Sequence, residues 1–211
     1  MAAGDPVADA FVQSLNRPGG NITGLTLQET DTTGKRLELL KELVPSAAPV
    51  AVLWTKTTRS SAQYLRAAEA AARARGWRLL TLEVREPRDI ERAFRAATEA
   101  RASALLDLAT GVTFARAREV AELAARNRLP AMYGLRAYVE AGGLIAYGAD
   151  IRAIWRRSAT FVTKILMGAR PGDLPVEQPM KFELVIDLKA AKAIGMTIPP
   201  SVLARADHVI E

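Results

Sequence analysis

A doubly wound α/β sandwich with a parallel sheet is the fold this sequence predicts, on three observations. Short apolar runs alternate with amphipathic stretches from about residue 50 onward. The runs recur roughly every 25 to 30 residues, the spacing of βαβ crossovers. Each run is almost continuously apolar, as strands covered by helices on both faces require.

The elements read as follows. Residues 6–16 are predicted to form a helix with Val7, Phe11 and Leu15 on one stripe, closed by Arg17-Pro-Gly-Gly20. Val50–Trp54 is the first buried strand. Ser60 then reads as a helix cap with Gln63 completing a capping box, and Gly76 as the left-handed stop. Leu79–Val84 is the second strand. Pro87 opens a helix with Ile90, Phe94 and Ala97 on one face. Ser103–Leu108 is the third strand, followed by a helix to about Arg126. Pro130–Tyr133 and Leu144–Tyr147 are the fourth and fifth strands. Asp150 caps a long helix stopped by Gly168. Its stripe of Ile151, Ile154, Trp155, Ser158, Phe161, Val162, Ile165 and Leu166 is broad enough to demand burial. A proline-rich connection, 171–179, leads to a strand at Phe182–Ile186 and a helix from Asp187 to about Ile194.

Composition narrows the chemistry. The chain has 211 residues, no cysteine and one histidine, His208. Thiolate sites and cysteine nucleophiles are excluded, and a histidine-based triad or metal cluster is disfavoured. The net charge of +6 raises the question of nucleic acid. The arginines, however, are scattered over the helices beside acids, as in Glu69/Arg73, Glu91/Arg95 and Glu122/Arg126. That is the i,i+4 pattern of solvated surfaces rather than a basic face. No apolar run approaches the ~20 residues that span a bilayer, and the first residues read as lacking a secretory leader. Gly19-Gly20 and Gly142-Gly143 do not sit between a strand and a following helix, so the phosphate-binding fingerprints fail. With no cofactor loop, nucleophile elbow or usable histidine, the sequence does not read as an enzyme, and it calls for no cofactor and no metal.

In open α/β sheets, ligands bind at the carboxyl ends of the strands. That rule selects Trp54 and Thr55 after the first strand, Asp107, Ala109 and Thr110 at the third, Tyr133, Gly134 and Arg136 at the fourth, and Tyr147 at the fifth. An aromatic at a strand end can stack on a flat ligand, and an arginine can take a carboxylate bidentately. Local packing is the competing role for each of them. Trp155, inside the long apolar stripe, reads as core.

An ordered set of segments carries a resemblance. They are Gly4-Asp-Pro6, Leu15-Asn-Arg-Pro-Gly-Gly-Asn-Ile-Thr-Gly24, Gly34-Lys-Arg-Leu-Glu-Leu-Leu-Lys41, Leu129-Pro-Ala-Met-Tyr-Gly134, Val139-Glu-Ala-Gly-Gly-Leu-Ile-Ala-Tyr-Gly148, Pro175-Val-Glu-Gln-Pro179 and Ala193-Ile-Gly-Met-Thr-Ile-Pro-Pro200. Together they resemble the ABC transporter substrate-binding family that includes tryptophan- and tyrosine-binding lipoproteins, with a type I periplasmic-binding-protein fold. The resemblance implies two lobes closing on a small molecule, such as an amino acid with an aromatic side chain. It implies ABC permease subunits as partners and an extracytoplasmic location for the intact protein.

By that resemblance, residues 1–25 are a remnant of the first lobe and a crossover, and 26–147 form the second lobe. Residues 148–179 are a first-lobe helix and crossover, and 180–211 return to the second lobe. The chain reads as a form lacking most of the first lobe, with helices 6–16 and 151–167 left to pack on each other, to pack on a second copy in a homodimer, or to fray. Hinges are expected at 21–27 and 146–150. A ligand carboxylate is expected at a helix start near Asp5 and Pro6, and an ammonium at Asp107. A cytoplasmic ligand-sensing domain of a regulator with the same fold is the alternative.

Overall fold

The computed structural model describes residues 2–3, 5–27, 29–45, 49–56, 59–108 and 110–211, with residues 2, 3 and 29 described in their backbone alone. Two short strands, β1 (Ala2–Ala3) and β2 (Leu25–Thr26), pair in parallel as a small sheet of their own. Helix α1 (Glu29–Leu43) leads into β3 (Val50–Trp54), α2 (Arg59–Arg73), β4 (Leu79–Glu83), α3 (Arg88–Glu99) and β5 (Ala104–Asp107). Then come α4 (Gly111–Ala115), α5 (Ala117–Arg126), β6 (Ala131–Tyr133), α6 (Arg136–Glu140), β7 (Ile145–Ala149) and α7 (Ile151–Leu166). The chain ends with β8 (Phe182–Asp187), α8 (Leu188–Ala193), α9 (Pro200–Leu203) and β9 (His208–Ile210).

The main sheet has the order β4-β3-β5-β6-β7-β8-β9. The five strands β4, β3, β5, β6 and β7 are mutually parallel, and β8 runs antiparallel to β7 with Ala146 opposite Val185. One face carries Leu37, Leu40, Val50, Val52, Tyr64, Ala68, Leu106 and Ile186, covered by α1 and α2. The other carries Ala51, Leu53, Leu105, Tyr133 and Val185 under Ile90, Phe94, Val120 and Tyr138. Successive side chains of β3 therefore enter opposite cores, as the period of two dictates. This is the doubly wound sandwich, with two strands at one edge, β8 and β9, running opposite to the other five.

Several local readings hold. Asp150 caps α7 by accepting from the Ala153 amide at 3.0 Å, and Gly76 and Gly168 take positive φ. A helix does start at Asp187, whose carboxylate caps it by accepting from the Ala190 amide. Others are corrected. Residues 6–16 are not helical. The Asp5 carboxylate accepts from the Val7 and Ala8 amides, which starts a single turn, and Ala10 at φ 60° ends it. In consequence Val12 is buried while Val7 and Phe11 face solvent. Ser60 lies inside α2 rather than capping it, and the role of anion at that helix start falls to Asp9.

The stripe of α7 is not buried as a whole. Ile154 and Phe161 pack with Leu25 and Ala149, but Trp155 is 62% exposed and Leu166 82%. Trp155 is not core. An apolar side chain left in water forgoes about 1.5–3 kcal/mol of transfer free energy, so this flank is suited to cover by something further.

Candidate functional site

The strand order changes direction between β3 and β5: the chain passes from β3 outward to β4, then returns to β5 on the other side of β3. In doubly wound sheets such a reversal is the place where a ligand crevice is expected, because the loops leaving the two strands turn to opposite faces. Trp54, half-buried, and Thr55, buried, stand at one side of it. Asp107, Leu108 and Thr110 stand at the other. Ala109 lies outside the described residues.

Thr55 is 2% exposed, and its hydroxyl has no hydrogen-bond partner among the described residues. Asp107 is fully buried and accepts from the Thr113 hydroxyl at 3.0 Å. Thr110 and Thr113 cap α4 reciprocally, each side chain bonding the other's amide. The Tyr138 hydroxyl donates to Thr113 at 3.1 Å and also interacts with Asp107. Burial, reinforced by the Asp107 charge, raises the Tyr138 phenol well above its ordinary value. Tyr133 stacks on Tyr138 with ring centres 4.7 Å apart. Burial, then the Asp107 charge, pushes its phenol up as well. Asp107, Thr110 and Tyr133 are thus brought together in one polar cluster behind this reversal, with Thr113 and Tyr138 joining them.

The remaining candidates lie elsewhere along the edge or away from it. Gly134 follows β6, and a Cβ there would lie 2.9 Å from Nη2 of Arg36. Arg136 pairs with Glu140 at 2.8 Å and Glu183 at 3.5 Å, and the Glu140 hydrogen bond is the main reason its pKa is raised. Tyr147 is half-buried, its ring 6.2 Å from that of Phe182. Asp5 and Pro6 line a separate recess of about 210 Å³ together with Thr26, Thr30, Asp31 and Gln178. The amides of Val7 and Ala8 are taken by the carboxylate of Asp5 itself, so this turn does not present them to an outside anion.

Three features of the edge were not foreseen. Arg36 of α1 is fully buried. Its Nε donates to the Tyr147 carbonyl at 2.7 Å and its Nη2 to the Gly134 carbonyl at 3.4 Å, so it stitches the carboxyl ends of β6 and β7 together. Phe114, 40% exposed, stands edge-on to Tyr138. Asp9 reaches α2. An arginine directly before the apolar positions Leu37, Leu39 and Leu40 was the available signal for the first; the others leave no mark in sequence periodicity. Among the described residues, no cluster of three His, Cys, Asp or Glu side chains is placed to hold a metal, and no helix is long and apolar enough to cross a membrane.

Similarity to known proteins bears on this geometry. The family model described as ABC transporter substrate binding protein matches residues 1–210. A tyrosine-binding protein of Clostridioides difficile strain R20291 is 23% identical over 195 residues, which are 92% of this chain and 56% of that relative's length. The crystal structure of an ABC domain from Streptococcus pneumonia in complex with L-Trp superposes with a TM-score of 0.88 at 26% identity, covering 99% of this chain and 72% of that one. A conserved domain protein from Vibrio cholerae O1 biovar El Tor gives 0.88 at 28% identity, covering 97% and 68%. The family model and the two relatives with a named ligand describe substrate-binding proteins, not enzymes.

Proposed function

Because the chain belongs to the ABC transporter substrate binding protein family, we propose that it is the solute-binding component of an ABC-type importer. It holds a small molecule, an aromatic amino acid by preference, at the carboxyl edge of its main sheet. The observation that carries this reading is the polar groups gathered where the strand order reverses, between β3 and β5. There a buried Thr55 hydroxyl with no partner among the described residues follows one strand, and Asp107, bonded to the Thr110–Thr113 cap, ends the next. An unmade hydrogen bond at a buried group costs about 1–3 kcal/mol, and a polar ligand recovers it. Trp54 and Phe114 are the aromatic surfaces at this edge, and Asp107 is the fixed negative charge behind it.

In this reading, residues 1–25 and 148–179 belong to one lobe, and 26–147 and 180–211 to the other. The lobes close by rotation about the segments 21–27 and 146–150. The intact receptor works outside the cytoplasm and delivers its solute to permease subunits. A sensor domain of a regulator is not favoured, since the matching family is one of substrate-binding proteins.

The test is isothermal titration of L-tryptophan and L-tyrosine into the 211-residue chain. Because the grip is shared between two lobes and the match spans 56% of the tyrosine-binding relative's length, binding by these 211 residues alone is expected to be weak. Submicromolar affinity of this chain alone would contradict a grip shared between two lobes.

A further inference from the structure

Asp9 stands in the segment between β1 and β2, the strands of the small separate sheet. Ser60 stands in the first turn of α2, which packs on the main sheet through Tyr64, Ala68 and Ala72. The two residues are 51 positions apart, yet the Asp9 carboxylate accepts from the Ser60 amide at 2.8 Å and from its hydroxyl at 2.7 Å. Local chemistry holds Asp9 there. The Asp5 carboxylate fixes the turn, the Asp9 amide closes it on the Asp5 carbonyl at 3.0 Å, and Ala10 then leaves it at positive φ.

The contact is favourable for reasons that do not depend on a ligand. An amide in the first turn of a helix has no partner within the helix, and a carboxylate at that end also interacts well with the helix dipole. Bonds to a charged acceptor are the stronger kind. Its place is equally telling: Ser60 follows the carboxyl end of β3, on the sheet edge that carries Trp54 and Thr55. The contact therefore joins the two parts of the chain beside the carboxyl end of β3.

We propose that Asp9 and Ser60 form an interlobe clasp, a pair of positioning residues that holds the first-lobe segment against the second lobe and biases the receptor toward its closed form. This rests on the division into lobes proposed above. It adds to that division a specific contact whose breakage frees the hinge without touching the solute.

The absence of cysteine permits site-directed labelling without background. Spin labels on Asn16→Cys and Arg66→Cys, both exposed positions on the two sides of the contact, report the separation by double electron–electron resonance. The unsubstituted clasp is expected to give one narrow distance distribution. Asp9→Ala should raise the open population about tenfold, the effect of losing one strong charge-assisted interaction, and so broaden the distribution toward longer distances. Asp9→Asn and Ser60→Ala, which each keep part of the contact, should fall between. Circular dichroism and thermal melting verify that each variant is folded, and Asp9→Asn, nearly isosteric, serves if Asp9→Ala is not. Distributions for the folded variants that superpose on the parent would overturn the clasp. No solute enters this experiment, so a failure of solute binding registers in the titration and not here.

Discussion

Gly148→Ala is expected to destabilise the protein by about 4 kcal/mol or more, in the range reserved for a specific steric or network failure. A Cβ at residue 148 would lie 1.8 Å from the Gly134 carbonyl oxygen and 3.0 Å from its carbon. Both are backbone atoms at the end of β6, so neither can turn aside as a side-chain tip would. Residue 148 is also locked from the other side, paired with Glu183 on β8. Relief therefore requires β6 and β7 to separate where Arg36 joins them. For a domain of this size the melting temperature should fall by roughly 10 °C. Gly34→Ala is the control: it lies within α1, and a Cβ there meets nothing within 4 Å. It should stabilise by about 0.5–1 kcal/mol through helix propensity. A Gly148→Ala variant that melts within a degree or two of the parent would show that these strand ends are not in fixed contact.

Arg36→Leu is the second large effect, expected to cost about 3–5 kcal/mol. Leucine fills part of the space but leaves the carbonyls of Tyr147 and Gly134 without their donor, and both lie where water is scarce. Losing one member of a buried polar arrangement costs more than the arrangement contributes, because the partners remain desolvated. Arg36→Lys should recover only part of the loss, since one ammonium on a flexible stem cannot reproduce two bonds from a rigid fork. Urea denaturation of the three proteins reads the difference. Because the sites touch, Gly134→Ala should cost less in an Arg36→Leu background than alone, a coupling that a double-mutant cycle isolates. Equal costs in both backgrounds would mean that Arg36 does not crowd Gly134.

The main sheet was legible because its strands are apolar on both faces. Val50–Leu53, Ala104–Leu106 and Ile145–Ala146 carry that signature without interruption. Asp150 was legible as a cap, since a side-chain oxygen there bonds an amide only three residues ahead. Residues 6–16 were misread because Val7, Phe11 and Leu15 share helical spacing, and spacing does not register that Asp5 and Ala10 confine the chain to one turn. The same limit hid the true partner of the α2 start. Ser60 and Gln63 have capping-box spacing, but the anion comes from Asp9, far away in sequence. Helix α1 begins Glu-Thr-Asp-Thr-Thr-Gly and escaped notice as an element, as did the short edge strand β9. At the candidate site, the rule about strand ends selected Thr55, Asp107 and Thr110. It could not foresee that Tyr133 is wholly enclosed, because enclosure depends on the ring of Tyr138 stacking upon it.

Amide chemical-shift mapping during titration with L-tryptophan tests the central claim most directly. The account predicts saturable shifts, weak but localised, at Thr55, Leu108, Thr110, Gly134 and Tyr147, on the carboxyl edge of the main sheet. Val50, Ala104 and Ala131, at the opposite ends of the same strands, should stay still. Shifts centred on those amino ends or on the exposed flank of α7, or no saturable shift anywhere, would contradict it.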